Sequence, residues 1–236
     1  MKAIILAAGR GSRMKNLTAN IPKCLVKVQE RPLLEWQINA IHTAGISEIA
    51  IVTGYRKELL RKYNLVEFYN PRWAETNMVS SLAYAKSWLK EDNCIVSYSD
   101  IFYNTIAVED LIKCIAPLAI SYDPNWLELW KKRFEDPLID AESFLIDKDN
   151  YVIEIGKKPD TLDEIQGQFM GLLRLSPGGW SEINRIRSNL TSKHRDIIQM
   201  THILQQVIEA KRHSILGIPY KLEWGEVDSE SDLIKY

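Results

Sequence analysis

The sequence predicts one α/β domain with a Rossmann-like, mixed but mostly parallel sheet and helices on both of its faces. Short apolar runs, rich in β-branched residues, alternate with amphipathic helical patterns three times in the first half of the chain. Such alternation is typical of parallel strands joined by right-handed crossovers. The 236 residues suffice for one large hydrophobic core, and no linker-like stretch divides them. We therefore expect a single domain.

The elements of the first half follow from the apolar pattern and from glycine and proline positions. A helix begins at Pro32, because proline favours the first helical position, and ends at Gly45. After Asn77, a second helical stripe runs from Met78 to Leu89. The predicted strands of this half are residues 3–6, 49–52 and 94–98.

The second half carries weaker signals. Two short apolar segments flank Asp-Lys-Asp-Asn and predict a hairpin, and apolar positions between Ile197 and Ile208 predict an amphipathic helix. Residues 121–138 are polar, aromatic and charged, so we expect them to pass over a pocket. The predicted strands are residues 143–146, 151–155, 168–175, 214–216 and 222–224.

Charge and composition exclude several classes of protein. A formal net charge of −1 gives no general attraction for nucleic acid or for an anionic membrane. No apolar run is long enough to span a bilayer. The cysteines Cys24, Cys94 and Cys114 show no paired spacing that would indicate a structural zinc site. We expect a reduced, cytoplasmic protein that binds neither nucleic acid nor membrane.

The most specific local signal is a glycine loop after the first strand, Leu6-Ala7-Ala8-Gly9-Arg10-Gly11-Ser12-Arg13-Met14. Small residues let a ligand approach the backbone, and glycines permit turns that direct N–H groups inward. Arg13, together with Lys23 after a proline, adds cationic side chains suited to a triphosphate. A dinucleotide fingerprint would need a small residue in place of Met14, and a P-loop would need Gly-Lys-Ser/Thr at its end. The loop therefore predicts a phosphate site of another kind.

This loop, Ala-Ala-Gly-x-Gly-x-Arg-Met with a downstream Pro-Lys, resembles the nucleotidyltransferase superfamily that makes sugar nucleotides and CDP-alcohols. Residues 76–82, 167–173, 200–205 and 224–228 resemble its choline-phosphate cytidylyltransferase branch, which includes relatives acting on aminoalkylphosphonates. The resemblance implies transfer of CMP from CTP to a small phosphorylated acceptor such as phosphocholine, with release of pyrophosphate. It also implies Mg²⁺ as cofactor and a role in decorating surface polysaccharide, as in capsule biosynthesis, or lipid.

Two aspartates are the candidate metal ligands. Asp100 follows the strand at residues 94–98, at the end where ligands of open α/β sheets bind, and Asp228 follows the short strand at residues 222–224. Mg²⁺ prefers one or two carboxylates and leaves positions for phosphate oxygens and water. Many relatives have Asp-x-Asp at the first position, whereas here Ile101 follows Ser99-Asp100. Glu226 is a weaker substitute for Asp228.

The resemblance also implies roles for individual residues. Arg13, Lys23 and Lys157 are the expected catalytic cations, although Lys157 can equally be a solvated hairpin end. We expect a nucleotide-binding half at residues 1–120 and an acceptor-covering half, with the second metal ligand, at residues 121–236. The expected nucleotide-binding residues are Leu6, Ala7, Ala8, Gly9, Arg10, Gly11, Ser12, Arg13, Lys23, Asn77, Ser80, Ser81 and Asp100.

The acceptor is less defined by the sequence. Trp126 and Trp130 are four residues apart, and aromatic faces can enclose a quaternary ammonium, but a helix packing its aromatic stripe on the core has the same pattern. Charged residues of this segment can instead contact an amino-acid-like or sugar acceptor; they are Arg133, Asp136, Asp140 and Glu142. The candidate acceptor-binding residues are Tyr122, Trp126, Trp130, Arg133 and Gln168.

Two other functions remain open at this point. A sugar-1-phosphate nucleotidyltransferase has the same loop chemistry, which does not select a base. A non-catalytic, nucleotide-binding regulatory subunit on the same fold would not need its basic and metal-binding residues. The joint presence of Arg13, Lys23, Asp100 and Asp228 favours an enzyme.

Overall fold

A seven-stranded sheet runs through the centre of the molecule in the computed structural model, which describes all 236 residues. The strands of the protein are β1 (Lys2–Ala7), β2 (Lys27–Val28), β3 (Arg31–Pro32), β4 (Ile49–Thr53), β5 (Val66–Tyr69), β6 (Cys94–Tyr98), β7 (Ile101–Tyr103), β8 (Leu118–Asp123), β9 (Phe144–Ile146), β10 (Val152–Ile155), β11 (Gln168–Leu175), β12 (Leu216–Pro219) and β13 (Trp224–Glu226). The central sheet has the order β12-β8-β11-β6-β1-β4-β5. All its neighbouring strands are parallel except β11, which is antiparallel to both β6 and β8. The predicted mixed, mostly parallel sheet is confirmed.

Helices cover both faces of this sheet. They are α1 (Leu33–Thr43), α2 (Met78–Leu82), α3 (Lys86–Glu91), α4 (Thr105–Lys113), α5 (Trp126–Arg133), α6 (Pro177–Asn189), α7 (Ser192–Ile197) and α8 (Met200–Ala210). Successive side chains of a strand point to opposite faces. Ile4 and Leu6 of β1 accordingly pack in one core with α3, α6 and α8, whereas Ile5 packs in a second core with α1, α4 and α5. Both cores draw residues from the two halves of the chain, so the fold is one domain.

Some elements differ from the sequence prediction. The helix expected from Met78 to Leu89 is divided into α2 and α3 by a 3₁₀ turn, Ala83–Ala85, because α2 packs on α7 and α3 packs on α6. The strand expected at residues 214–216 lies further along the chain, as β12, where it can pair with β8.

Residues 121–138 do not pass over a pocket, and that expectation was wrong. Ser121–Asp123 complete β8 inside the central sheet, and the next helix, α5, buries its aromatic side chains in a core. Burial of large aromatic groups stabilises the fold more than exposure at a cavity rim would. Trp130 is the residue of this segment that lines the cavity of about 450 Å³ described below.

A small antiparallel ribbon of β7 and β13 brings the two ends of the predicted metal site together. Tyr103 pairs with Trp224, and the Val227 N–H donates to the Asp100 carbonyl at 2.9 Å. The residues that flank these strands, Asp100 and Asp228, therefore lie side by side. None of the helices combines the length and the apolar character needed to cross a membrane.

The cysteines give a simple test of this packing. Cys24 and Cys94 are buried, and burial raises the pKa of each thiol to about 12, whereas Cys114 is partly exposed. Because the thiolate is the reactive form, the native protein should incorporate one equivalent of iodoacetamide at about pH 8, and three after denaturation. Mass spectrometry locates the label. Rapid labelling of Cys24 or Cys94 in the native protein would contradict this packing.

Candidate active site

A cavity of about 310 Å³ opens where the glycine loop leaves β1. Its lining combines the loop with the start of α2 and the end of β6. The residues that line it are Leu6, Ala8, Gly9, Gly11, Ser12, Arg13, Lys23, Trp73, Thr76, Asn77, Met78, Ser81, Tyr98, Ser99 and Asp100. Small residues on one wall and cations on another suit a polyphosphate. We name this space the loop cavity.

The backbone of the loop depends on Gly11. Its φ of +71° lies in the left-handed region, which side chains with a Cβ adopt at a cost. A Cβ built at Gly11 would lie 2.8 Å from Cβ of Lys23, which is too close for two carbon atoms. The Gly11 carbonyl accepts a 2.8 Å hydrogen bond from Thr18 Oγ1, which fixes the turn. Gly11 therefore sets both the shape of the loop and the position of Lys23.

Replacing Gly11 with alanine should lower the free energy of unfolding by about 1–2 kcal/mol. It should also reduce nucleotidyl transfer about tenfold or more, because Lys23 must move to admit the methyl group. Urea denaturation and initial rates measure the two effects. Gly178→Ala is the matched control, since its new Cβ meets nothing closer than Ser176 Oγ at 3.6 Å. Unchanged stability and rate in Gly11→Ala would contradict this account of the loop.

A buried lysine joins the two predicted metal ligands. Lys23 Nζ lies 2.7 Å from Asp100 Oδ2 and 2.5 Å from Asp228 Oδ1, and Arg13 Nη2 lies 2.9 Å from Asp228 Oδ1. Burial opposes the charge on Lys23, but the two carboxylates outweigh it and raise the lysine pKa. Burial likewise opposes the charge on Asp228, but the surrounding cations, with Lys23 foremost, lower its pKa. The site is therefore charged at neutral pH.

Three carboxylates converge beside this lysine. One oxygen from each of Asp100, Glu226 and Asp228 lies within 4.8 Å of the others. Oδ1 of Asp100 is buried and has no hydrogen-bond partner. Burial and the neighbouring charge of Asp228 raise the pKa of Glu226 to about 8. A divalent cation would satisfy the free oxygen and offset this repulsion, so the residues fit a hard metal ion.

Arg133 holds this acidic cluster from the side of α5. Its Nη1 lies 2.8 Å from Glu226 Oε2, its Nε 3.2 Å from Asp232 Oδ1, and its Nη2 3.6 Å from Asp228 Oδ2. Asp232 Oδ2 also accepts the backbone N–H of Asp228 at 3.0 Å. The expectation that Arg133 contacts the acceptor was wrong, because its guanidinium is buried among these carboxylates.

A second cavity of about 450 Å³ adjoins the loop cavity. The two share five residues, Arg13, Asn77, Met78, Tyr98 and Asp100. The other residues that line the second cavity are Trp130, Asp140, Glu142, Ser143, Phe144, Ile155, Gln168, Phe169, Gln199, Met200, Thr201, Glu226 and Asp228. We name this space the acidic cavity, because carboxylates dominate its charged lining.

Comparison with known proteins identifies the family. Residues 3–135 match a family model described as the MobA-like NTP transferase domain. The chain belongs to this family. A CTP:phosphoglutamine cytidylyltransferase of Campylobacter jejuni is 37% identical to it, over 99% of this chain and 98% of that protein. A choline-phosphate cytidylyltransferase of Streptococcus pneumoniae is 41% identical over 44% of this chain and 47% of that protein.

The fold of this MobA-like NTP transferase recurs in solved structures. The structure of a CTP:phosphocholine cytidylyltransferase from Streptococcus pneumoniae superposes with a TM-score of 0.74 at 24% identity, over 99% of this chain and 96% of that one. The predicted fold and the predicted nucleotidyltransferase family are both confirmed.

Several residues predicted for the site of this transferase lie elsewhere. Tyr122 and Trp126 are buried in the two cores and line neither cavity, so their expected contact with the acceptor was wrong. Ala7 packs in the core, and Arg10 lies outside both cavities with its guanidinium 5.8 Å from the ring of Tyr55.

Two further predicted residues, Ser80 and Lys157, point away from the cavities. The hydroxyl of Ser80 donates to the Arg195 carbonyl at 2.8 Å, so this side chain attaches α2 to α7. The ammonium of Lys157 pairs with Glu154 at the surface. The expected catalytic role of Lys157 stays a prediction that no contact in the structure supports.

Most of the acidic cavity could not be located from the sequence. Gln199, Met200 and Thr201 reach it at the start of α8, and Tyr98 reaches it at the end of β6. Asp140 and Glu142, which the sequence offered together with Arg133 and Asp136 as possible acceptor contacts, do line this cavity, whereas Asp136 does not. The residues that line this cavity come together only because β8, β11 and α8 pack against one another, and a local sequence pattern does not predict that packing.

Proposed function

We propose that this MobA-like NTP transferase transfers CMP from CTP to a small phosphorylated acceptor and releases pyrophosphate. The observation that carries the proposal is the junction of the two cavities, where Arg13 and Asp100 line both. A nucleotide in the loop cavity would place its α-phosphate at this junction, and an acceptor in the acidic cavity would approach it from the opposite side. The cytidylyltransferases among its relatives support CTP as the donor.

The chemistry needs positioning and charge neutralisation more than a catalytic base. A phosphate oxygen of the acceptor attacks the α-phosphorus, and the bond to the β-phosphate oxygen breaks with its electron pair leaving on pyrophosphate. The attacking phosphate already carries charge, because its second pKa is about 6. Arg13 and Lys23 are the cations at the junction, and they suit the triphosphate and its developing charge.

We further propose that Mg²⁺ is the divalent ion and that Asp100 and Asp228 hold it, with Glu226 adjacent. Bound there, Mg²⁺ would neutralise charge on the phosphate oxygens. The protein itself holds the carboxylates of Asp100 and Asp228 in position. Arg133 and Asp232 position Asp228, and the β7–β13 ribbon positions Asp100.

Phosphoglutamine is the first acceptor to test, because a relative matched over 99% of this chain and 98% of its own length is a CTP:phosphoglutamine cytidylyltransferase. Phosphocholine and 2-aminoethylphosphonate follow, from relatives that match less than half of the chain. A CDP-linked product of this kind would serve decoration of a surface polysaccharide or lipid. Since CTP is a cytoplasmic metabolite, we place the reaction in the cytoplasm.

Pyrophosphate release tests the proposal. The purified protein is incubated with Mg²⁺, each nucleoside triphosphate in turn, and a pool of phosphoglutamine, phosphocholine, 2-aminoethylphosphonate, phosphorylated amino acids and hexose 1-phosphates. We expect release with CTP and a non-sugar acceptor. Release only with a hexose phosphate would establish the sugar-1-phosphate alternative instead. Nucleotide binding without release from any pool would support the regulatory alternative.

A further inference from the structure

One carboxylate of the acidic cavity lacks a cationic partner in the protein. Glu142 accepts a single hydrogen bond, from Thr201 Oγ1 to its Oε1 at 3.2 Å. It forms no ion pair, and its Oε2 has no protein donor. Buried or half-buried carboxylates are usually paired, since an isolated charge is costly to remove from water.

The position of Glu142 is fixed by its neighbour Gln168. The Gln168 Nε2 donates to the Glu142 carbonyl at 2.6 Å, and the Glu142 N–H donates to Gln168 Oε1 at 3.3 Å. Gln168 itself is buried at the start of β11. The carboxylate is therefore presented to the cavity from a backbone tied to the central sheet.

The cations near the cavity are engaged elsewhere. Lys23 and Arg13 pair with Asp100 and Asp228. Arg133 pairs with Glu226 and Asp232.

Glu142 and Asp140 are consequently the two lining carboxylates without an ion pair. Burial raises the pKa of Glu142; the Thr201 hydrogen bond and His202 oppose this rise, and the charge of Asp140 adds to it. His202 acts through space on Glu142, and Arg133 and Arg13 act through space on Asp140, but none of them contacts these carboxylates. A cationic ligand at this end of the cavity would supply the missing ion pair.

Each aromatic side chain that lines the cavity contacts a neighbouring ring or guanidinium. Phe169 stacks edge-on against Tyr98 at 5.7 Å, Phe144 packs on Tyr122 at 4.9 Å, and the Arg133 guanidinium lies 5.3 Å from the ring of Trp130. A quaternary ammonium needs open aromatic faces, because it has no N–H to donate. A primary ammonium instead donates hydrogen bonds, which the free oxygen of Glu142 can accept.

We propose that Glu142 binds a protonated primary amine on the acceptor and thereby selects phosphorylated or phosphonate primary amines over quaternary ammonium and sugar acceptors. The proposal rests on the proposed function, because it assigns the acceptor to the acidic cavity. Asp140 adds negative charge at the same end, and Thr201 and Gln168 orient the carboxylate.

Acceptor pairs that differ only at nitrogen test this selection. Phosphoethanolamine is compared with phosphocholine, and phosphoglutamine with its Nα-acetyl derivative, using CTP and Mg²⁺. The wild-type protein should favour the free amine of a pair by at least about tenfold in kcat/KM. Glu142→Gln should lower kcat/KM for the free amine by about 10- to 100-fold, mainly through KM, and change the capped partner and the KM for CTP by less than about threefold.

Glu209→Gln is the matched control, since it makes the same chemical change on an exposed residue of α8. Equal losses for the free and capped acceptors in Glu142→Gln would overturn the proposal. Wild-type turnover confined to acceptors without a primary amine would overturn it while leaving CMP transfer intact. No turnover with CTP and any acceptor would remove the proposed function and this inference with it.

Discussion

Replacing Lys23 with alanine should lower kcat/KM for nucleotidyl transfer by about 10²- to 10³-fold, the loss expected when a preorganised cation is removed from a phosphoryl-transfer site. Lys23 Nζ lies within 2.7 Å of carboxylate oxygens on both Asp100 and Asp228, at the boundary of the loop cavity. No other lysine lines either cavity, and the remaining cation, Arg13, pairs with Asp228 but not with Asp100. Initial rates of pyrophosphate release measure the effect.

The same variant should also be less stable. Removing one partner of a buried ion pair costs about 3–5 kcal/mol, which for a chain of this size lowers Tm by roughly 6–20 °C. Mg²⁺ should restore part of this stability, because its binding would neutralise the two carboxylates, Asp100 and Asp228, that have lost their lysine partner. Lys27→Ala is the matched control, since Lys27 is exposed and pairs only with Glu30. Full activity of Lys23→Ala would exclude Lys23 from the active site.

Asp100→Asn should reduce Mg²⁺-supported turnover by about 10³-fold or more, because it removes one of the two proposed metal carboxylates. The fold should remain intact. Asp100 forms one ion pair, with Lys23, which keeps its contact to Asp228 at 2.5 Å. The β7–β13 ribbon uses the Asp100 carbonyl, which the substitution leaves unchanged. Turnover is measured as a function of Mg²⁺ concentration, alongside Tm.

The appropriate comparison for this variant is Asp110→Asn, which changes a half-buried aspartate of α4 that lies outside both cavities and whose partner is Lys113. We expect that control to retain its rate within about twofold. If Asp100→Asn responds to Mg²⁺ as the unmodified protein does, the proposed metal ligands are wrong. If it loses activity and melts at an unchanged temperature, the carboxylate acts in the chemistry.

The glycine loop and the sheet could be predicted because their signals are local. Gly11 occupies a left-handed turn that few other residues tolerate, and the cavity forms around the residues on either side of it. Alternation of apolar runs with amphipathic stripes located β1, β4, β6 and α1 within a few residues. The loop signal lies within a few consecutive residues, and the apolar pattern of each strand or helix lies within that element.

In the aromatic segment around α5, residue spacing alone does not distinguish a binding site from a core. Tyr122, Trp126 and Trp130 have the spacing of an aromatic enclosure and equally the spacing of a core stripe. Only packing distinguishes the two, because it buries all three side chains in the cores and lets Trp130 alone among them also line the acidic cavity. The sequence likewise does not show whether Arg133 contacts a ligand or the protein. Its ion pairs with Glu226 of β13 and with Asp232 show that it contacts the protein.

The fold class, the glycine loop with Arg13 and Lys23, and the two candidate metal ligands could be predicted without the structure, because each prediction uses a short motif or a residue's place at a strand end. Only the tertiary structure shows that β7 pairs with β13, that Arg133 lies beside Asp228, and that Glu142 faces the acidic cavity without an ion pair. These contacts join residues that are far apart in the chain, such as Tyr103 and Trp224. Their formation depends on how the whole sheet and its helices exclude water, which no local pattern encodes.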